Sequence, residues 1–235
     1  LYHIFVCFSI AFSADIYALR YFSSYEICSI IDSDRADTHF ILDGGNMLNI
    51  ITKLMSENDC YKAGRTITPR GITIHSTAEP GMRAGVWYEL WNKSASEQGG
   101  REVCVHAFAD DEIVMQYLPW TMRGWHAGGT DNNDHIGIEL CEPAGMIYTD
   151  DFDIADYDTA RFQPYFDRLW SNAVQLCAYL IRQYPTIGIN EIVSHHEGFL
   201  RGTASGHHDP EHWWKFHNKT MDDFRAAVAR ETEDK

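Results

Sequence analysis

Apolar and polar residues alternate in two separated stretches, GITIHSTA (71–78) and HIGIELCEP (135–143). A period of two predicts strands with one face buried. In the first, Ile72 and Ile74 share one face, and Thr73, His75 and Thr77 share the other. In the second, Ile136, Ile138 and Leu140 lie opposite Gly137, Glu139 and Cys141. REVCVHAFA (101–109) and EIVMQYLP (112–119) read as consecutive strands, with a hairpin break at Asp110-Asp111. EIVSHHE (191–197) reads as a last strand, placing Val193 and His195 on one face and Ile192, Ser194 and His196 on the other.

Helical spacing predicts the remaining elements. MLNIITKLM (47–55) reads as an amphipathic helix and GVWYELWNK (85–93) as a short one. The stretch 158–184 carries Phe166, Leu169, Trp170, Val174, Cys177 and Leu180 on a core-facing stripe, and DDFRAAVARE (222–231) closes as a helix. Strands mixed with helices, without repeats or low-complexity linkers, predict one α/β domain with a mixed central sheet flanked by helices.

Residues 1–46 show no sustained period and read as an N-terminal extension to a domain spanning 47–235. LYHIFVCFSIAFSAD resembles the apolar part of a signal peptide but has no basic start and no initiator Met. Gly44-Gly45 just before Met47 also suits an over-long gene start with Met47 as the true beginning.

The length of 235 residues and 45% hydrophobic content suit one domain with a real core. A formal charge of -15, with no basic run, argues against a phosphate-backbone partner. No apolar run reaches the roughly 18 residues of a spanning helix, so stable membrane insertion is not expected. The six cysteines form no C-x-x-C pair and read as buried small apolar residues, which leaves the redox compartment open.

Two strands thus bury aliphatics on one side and present a single ionisable group on the other. His75 and Glu139 need partners if that second face is covered. A catalytic zinc takes three protein ligands and keeps one position open, and His75, His195 and Asp209 of SGHHDPEHWW (205–214) supply such a set. Glu139 then stands ready to take a proton from water. Each residue has an ordinary alternative: a satisfied strand histidine, an exposed strand carboxylate, or, for Asp209, the cap of a helix begun by Pro210. The helical zinc signature H-E-x-x-H is absent. His126 in the glycine-rich RGWHAGG loop reads as a groove-lining residue or a structural loop histidine, and Trp125 as a stacking platform or a packing residue. His106, His208, His212 and His217 read as structural or solvent-facing, and Trp213 and Trp214 as core.

TIHSTA, RGWHAGG, IGIELCEP and SHHEGFLRGTASGHHDPEHWW occur in the order found in the type 2 N-acetylmuramoyl-L-alanine amidases, and the chain from Met47 onward resembles that family. The family includes phage endolysins, bacterial autolysins and peptidoglycan recognition proteins. The resemblance implies a zinc domain of the amidase and peptidoglycan recognition type, with His75, His195 and Asp209 as ligands and Glu139 as the catalytic carboxylate. Many members carry a Lys two residues before the third ligand, where it stabilises the oxyanion. Here that position is His207, a departure that narrows the pH range of the same electrostatic task.

The implied activity is hydrolysis of the amide between N-acetylmuramic acid and L-alanine. The implied partner is peptidoglycan, met by a monomer that is secreted or held in the cytoplasm until phage-mediated release. A peptidoglycan-binding module without activity and a cytosolic amidase for soluble anhydro-muropeptides are the alternatives. Binding-only members usually lack the third ligand, whereas Asp209 is present.

Overall fold

The computed structural model describes residues 27–31, 37–43, 46–151 and 153–233. The signal-like stretch and the Gly44-Gly45 step lie outside the described residues.

In chain order the elements begin with β1 (Ile27–Ile31), β2 (Asp37–Asp43), β3 (Asn46–Thr52), α1 (Asp59–Ala63), β4 (Gly71–Ser76) and α2 (Trp87–Trp91). Next come β5 (Ala107–Ala109), β6 (Val114–Gln116), β7 (His135–Leu140), β8 (Ile147–Tyr148), β9 (Ile154–Ala155) and α3 (Thr159–Gln183). The chain closes with β10 (Ile192–Ser194), α4 (His195–Arg201), α5 (Glu211–Trp214) and α6 (Met221–Glu233). Eight strands form one sheet in the order β1-β2-β3-β6-β5-β7-β4-β10. β4 runs parallel to both β7 and β10, and β5 runs parallel to β7. The β5–β6 hairpin is antiparallel, as its Asp110-Asp111 break predicts.

The alternation of β4 and β7 divides the two sides of the sheet. Ile72, Ile74, Ile136 and Ile138 join Ala107, Ala109 and Val114 in one apolar cluster with Phe166, Leu169, Val174 and Cys177 of α3 and Phe224 and Val228 of α6. Trp213 and Trp214 are fully buried in that layer. On the opposite side Phe108 and Met115 pack with Trp87, Trp91 and Tyr117. His75 and Glu139 belong to this second side, where Glu139 is the register partner of both His75 and Phe108. Cys60, Cys104, Cys141 and Cys177 are free and buried, in keeping with the sequence.

Two sequence expectations are corrected. Most of MLNIITKLM is a strand, β3 up to Thr52, not a helix: β3 pairs with β2 from Asp37↔Thr52 to Asp43↔Asn46 and with β6 from Ile50↔Val114 to Thr52↔Gln116. Its β-branched run Ile50-Ile51-Thr52 favours the pleated surface over a helix. The sheet therefore continues through residue 46 into the segment read as an extension. EIVSHHE is the second correction. The strand stops at Ser194 and a helix starts at His195.

Candidate metal centre

His75 and Glu139 are cross-strand partners in the parallel β4–β7 ladder. The third position comes from β10, which lies beside β4 with Ser194 opposite Ile74. Ser194 then turns the chain into α4. Its Oγ accepts the Glu197 N–H at 2.9 Å, and the Glu197 carboxylate accepts the Ser194 N–H at 3.2 Å. This reciprocal cap satisfies two amides that a starting helix leaves unpaired. It ends the predicted strand and points His195 at His75.

Asp209 arrives from the loop before α5. Its Oδ2 accepts the Ser76 N–H at 3.2 Å. The cap position of α5 is Pro210, and no side chain caps that helix. Asp209 is thus fixed to the end of β4 instead of to α5.

Three donors converge. His75 Nδ1 lies 3.0 Å from His195 Nδ1, 3.5 Å from Asp209 Oδ2, and His195 Nδ1 lies 3.7 Å from Asp209 Oδ1. Ligand atoms about 2.0–2.1 Å from a tetrahedral zinc sit roughly 3.3 Å apart. The observed spacings bracket that edge, and two nitrogens with one carboxylate form a borderline donor set suited to it. Both histidine side chains are 2% exposed.

The electrostatics favour a cation. Burial, reinforced by His75, lowers the His195 imidazole to about 3, so it is neutral with a lone pair available. Burial pushes the Asp209 carboxyl up, but the neighbouring His207, His75 and His195 imidazoles outweigh it and hold the group well below the usual carboxylate range. Glu139 goes the other way: burial raises it to about 7 against the opposing pull of His75. Its Oε2 is buried without a hydrogen-bond partner. A carboxylate near neutrality beside a donor cluster is suited to moving protons.

A cleft of about 1090 Å³ opens over these groups. Trp125 and His126 line it, joined by Trp91, Arg101, Tyr148 and Lys215, which no site motif of the sequence includes. Trp125 is partly buried, and its backbone pairs with Cys104. His126 has both ring nitrogens engaged by protein, Nδ1 at 3.0 Å from His75 Nε2 and Nε2 at 3.3 Å from the His135 carbonyl. His207 is half-exposed, stacks on His195 with ring centroids 4.3 Å apart, and places Nδ1 3.6 Å from Asp209 Oδ1. The Asp209 carboxylate beside it raises its pKa.

Three further histidines make contacts within the protein. His106 is fully buried, His217 stacks on Phe166 at 3.9 Å, and His212 Nε2 lies 2.6 Å from the Tyr148 hydroxyl. Sequence reasoning missed Glu142 and Ser205. Glu142, 1% exposed, accepts hydrogen bonds from Ser76 Oγ and Tyr148 and so anchors the end of β4 that holds Asp209. The one available signal was a carboxylate closing a buried strand before Pro143. Ser205 Oγ lies 3.1 Å from His195 Nε2 and had no independent signal.

Fold and cluster together define a single α/β domain built around a candidate metal centre with an adjoining carboxylate. The family model described as N-acetylmuramoyl-L-alanine amidase, Amidase_2, matches residues 65–212, and the chain belongs to this family. Among curated proteins it is similar to N-acetylmuramoyl-L-alanine amidase CwlH of Bacillus subtilis strain 168, 30% identical over 156 residues. That match covers 63% of this chain, which spans 52% of the relative's length. Among solved structures it is similar to a mutant endolysin from Bacillus subtilis, with a TM-score of 0.53 and 26% identity over 77% of this chain and 99% of the other. The PlyG catalytic domain shares the fold at a TM-score of 0.56 and 21% identity, covering 78% of this chain and 95% of that one. No helix among the described residues is long and apolar enough to cross a membrane.

Proposed function

We propose that this domain is a zinc-dependent amidase that cleaves the bond between the lactyl group of N-acetylmuramic acid and the L-alanine of peptidoglycan stems. The observation that carries the reading is the convergence of His75 Nδ1, His195 Nδ1 and the Asp209 carboxylate beside the unpartnered Glu139 Oε2, in a cleft of about 1090 Å³. Membership of the amidase family supports it. His75, His195 and Asp209 hold the ion.

Zinc bound there acidifies water and polarises a carbonyl. Glu139 accepts a proton from the attacking water as the oxygen bonds to the carbonyl carbon. The same carboxyl then delivers that proton to the amide nitrogen as the C–N bond breaks, giving a lactyl carboxylate and a free L-alanine amine. His207, on the exposed rim, donates a hydrogen bond to the carbonyl oxygen as negative charge gathers there. Trp125 offers an aromatic face to the sugar, and the wall around His126 shapes the groove. The same enzyme acts on the cell wall, its peptidoglycan partner, as a monomer carrying the catalytic unit in residues 47–235.

Incubation with purified cell wall tests this, before chelation, after removal of metal, and after return of zinc. Loss of stem-peptide release on chelation and its recovery with zinc is the expected pattern. Undiminished release from the metal-free protein contradicts it.

A further inference from the structure

We propose, on the metal-centre reading above, that His126 is a positioning residue that fixes the tautomer of His75. The steps run inward from a backbone carbonyl. The His135 carbonyl only accepts, so the His126 nitrogen 3.3 Å away, Nε2, carries the hydrogen. The two ring nitrogens of His126 face only the His135 carbonyl and His75 Nε2, so with its hydrogen on Nε2 the neutral ring presents Nδ1 as a bare acceptor. His75 Nε2, 3.0 Å from that Nδ1, therefore donates. With its hydrogen committed to Nε2, His75 presents a lone pair at Nδ1, the atom that faces His195 Nδ1 at 3.0 Å and Asp209 Oδ2 at 3.5 Å.

The seat of the His126 ring is built for this. A Cβ on Gly137 would stand 2.5 Å from the ring, and one on Gly124 would stand 2.7 Å from it. Both contacts are closer than real Cβ atoms make, so the ring occupies space that only glycines leave. The His126 N–H is held in turn by Asn132, whose Oδ1 accepts it at 2.9 Å and the Ala127 N–H at 2.8 Å. A histidine that ligates zinc usually donates its second N–H to a carboxylate, a backbone carbonyl or water, and loss of such a partner costs roughly 10–100-fold in metal affinity. Here the partner is a second histidine, itself oriented by a carbonyl. His126 lines the cleft, yet its nitrogens serve the metal ligand and not the substrate.

The test uses the whole chain with ¹⁵N-labelled histidine. Long-range NMR correlations report the protonated nitrogen of each ring, with zinc and after its removal, and chelator competition reports zinc affinity. In the unsubstituted protein His126 and His75 both show Nε2–H. His126→Phe fills the seat without an acceptor; zinc binding weakens roughly 10–100-fold and the His75 tautomer is no longer fixed. His126→Asn puts an oxygen near the Nδ1 position and restores both. Finding His75 protonated at Nδ1, or His126 protonated at Nδ1, in the unsubstituted protein overturns the proposal without any variant. So does unchanged zinc affinity in His126→Phe, or an Asn variant no better than Phe. A protein that binds zinc through a fixed His75 yet cleaves no peptidoglycan leaves this inference standing and removes only the amidase reading.

Discussion

His75 and Glu139 face each other as register partners on adjacent parallel strands. Side chains alternate across a sheet, so a slip of one residue between β4 and β7 turns one of the pair into the apolar layer under α3. Register is held by Ile72↔Ile136 and Ile74↔Ile138, all four fully buried. The hydrophobic alternation that makes the strands also delivers an imidazole of the candidate metal cluster and the buried Glu139 carboxyl to the same place.

From that pairing, Glu139→Gln keeps the shape of the side chain and removes the proton acceptor. Stem-peptide release falls about 10²- to 10⁴-fold, while zinc content stays at wild-type level. Rate and metal analysis on the same preparation check this. A rate within roughly tenfold of wild type assigns the proton transfer to another group.

Asp209→Ala removes the carboxylate and leaves two histidines, too few to hold the ion tightly. Zinc bound to the folded state raises the unfolding temperature by mass action. The wild-type protein is expected to melt higher with added zinc, and the Asp209 variant to show little or no rise. An equal rise in both places the ion elsewhere.

Glu139 is held at about 7 by burial. A cation beside a carboxylate favours its charged form, so zinc lowers this value. NMR of the ¹³C-labelled carboxyl is expected to show titration near 7 in the metal-free protein and at lower pH once zinc is added. Activity then falls on the acid side at the lower of the two values, because the carboxylate is the working form. A titration that zinc leaves in place contradicts the proximity of Glu139 to the ion.

His106 tests the fold apart from the metal. Burial lowers it to about 4; Nε2 lies 2.7 Å from the Met122 carbonyl, and Nδ1 accepts the Gly137 N–H at 3.0 Å. Unfolded, it titrates near 6.5. Its contribution is thus complete above about 6.5, and the unfolded chain binds the extra proton as pH falls from there to about 4. The loss over that window is about 3 kcal/mol for this fully buried ring. Urea unfolding across this range is expected to show a shallower acid fall in His106→Gln than in the wild type. Parallel curves contradict a buried neutral His106.

Much of this was legible because alternation is a local signal. β4, β7 and α3 follow from their own residues, and with β4 and β7 come His75 and Glu139 on the polar face. β3 was not legible: MLNIITKLM satisfies helical spacing in isolation, and only pairing with β2 and β6 decides for a strand. Alternation alone extends the strand to His195, whereas Ser194 and Glu197 spell a capping box that starts a helix there. The hydrogen bond from His75 to His126 spans 51 positions and depends on space left by Gly137, so no local pattern encodes it. Glu142 is hidden for a similar reason, since its partners Ser76 and Tyr148 come from separate elements.

The central claim is a metal-assisted cut at one particular bond. It is tested most directly by mass spectrometry of peptidoglycan digested with protein of measured zinc content. The account predicts about one zinc per chain and released stem peptides that begin with a free L-alanine amine, leaving intact glycan strands with lactyl carboxylates. Zinc-loaded protein that releases no such peptides, or fragments cut within the glycan or between stem residues, contradicts it.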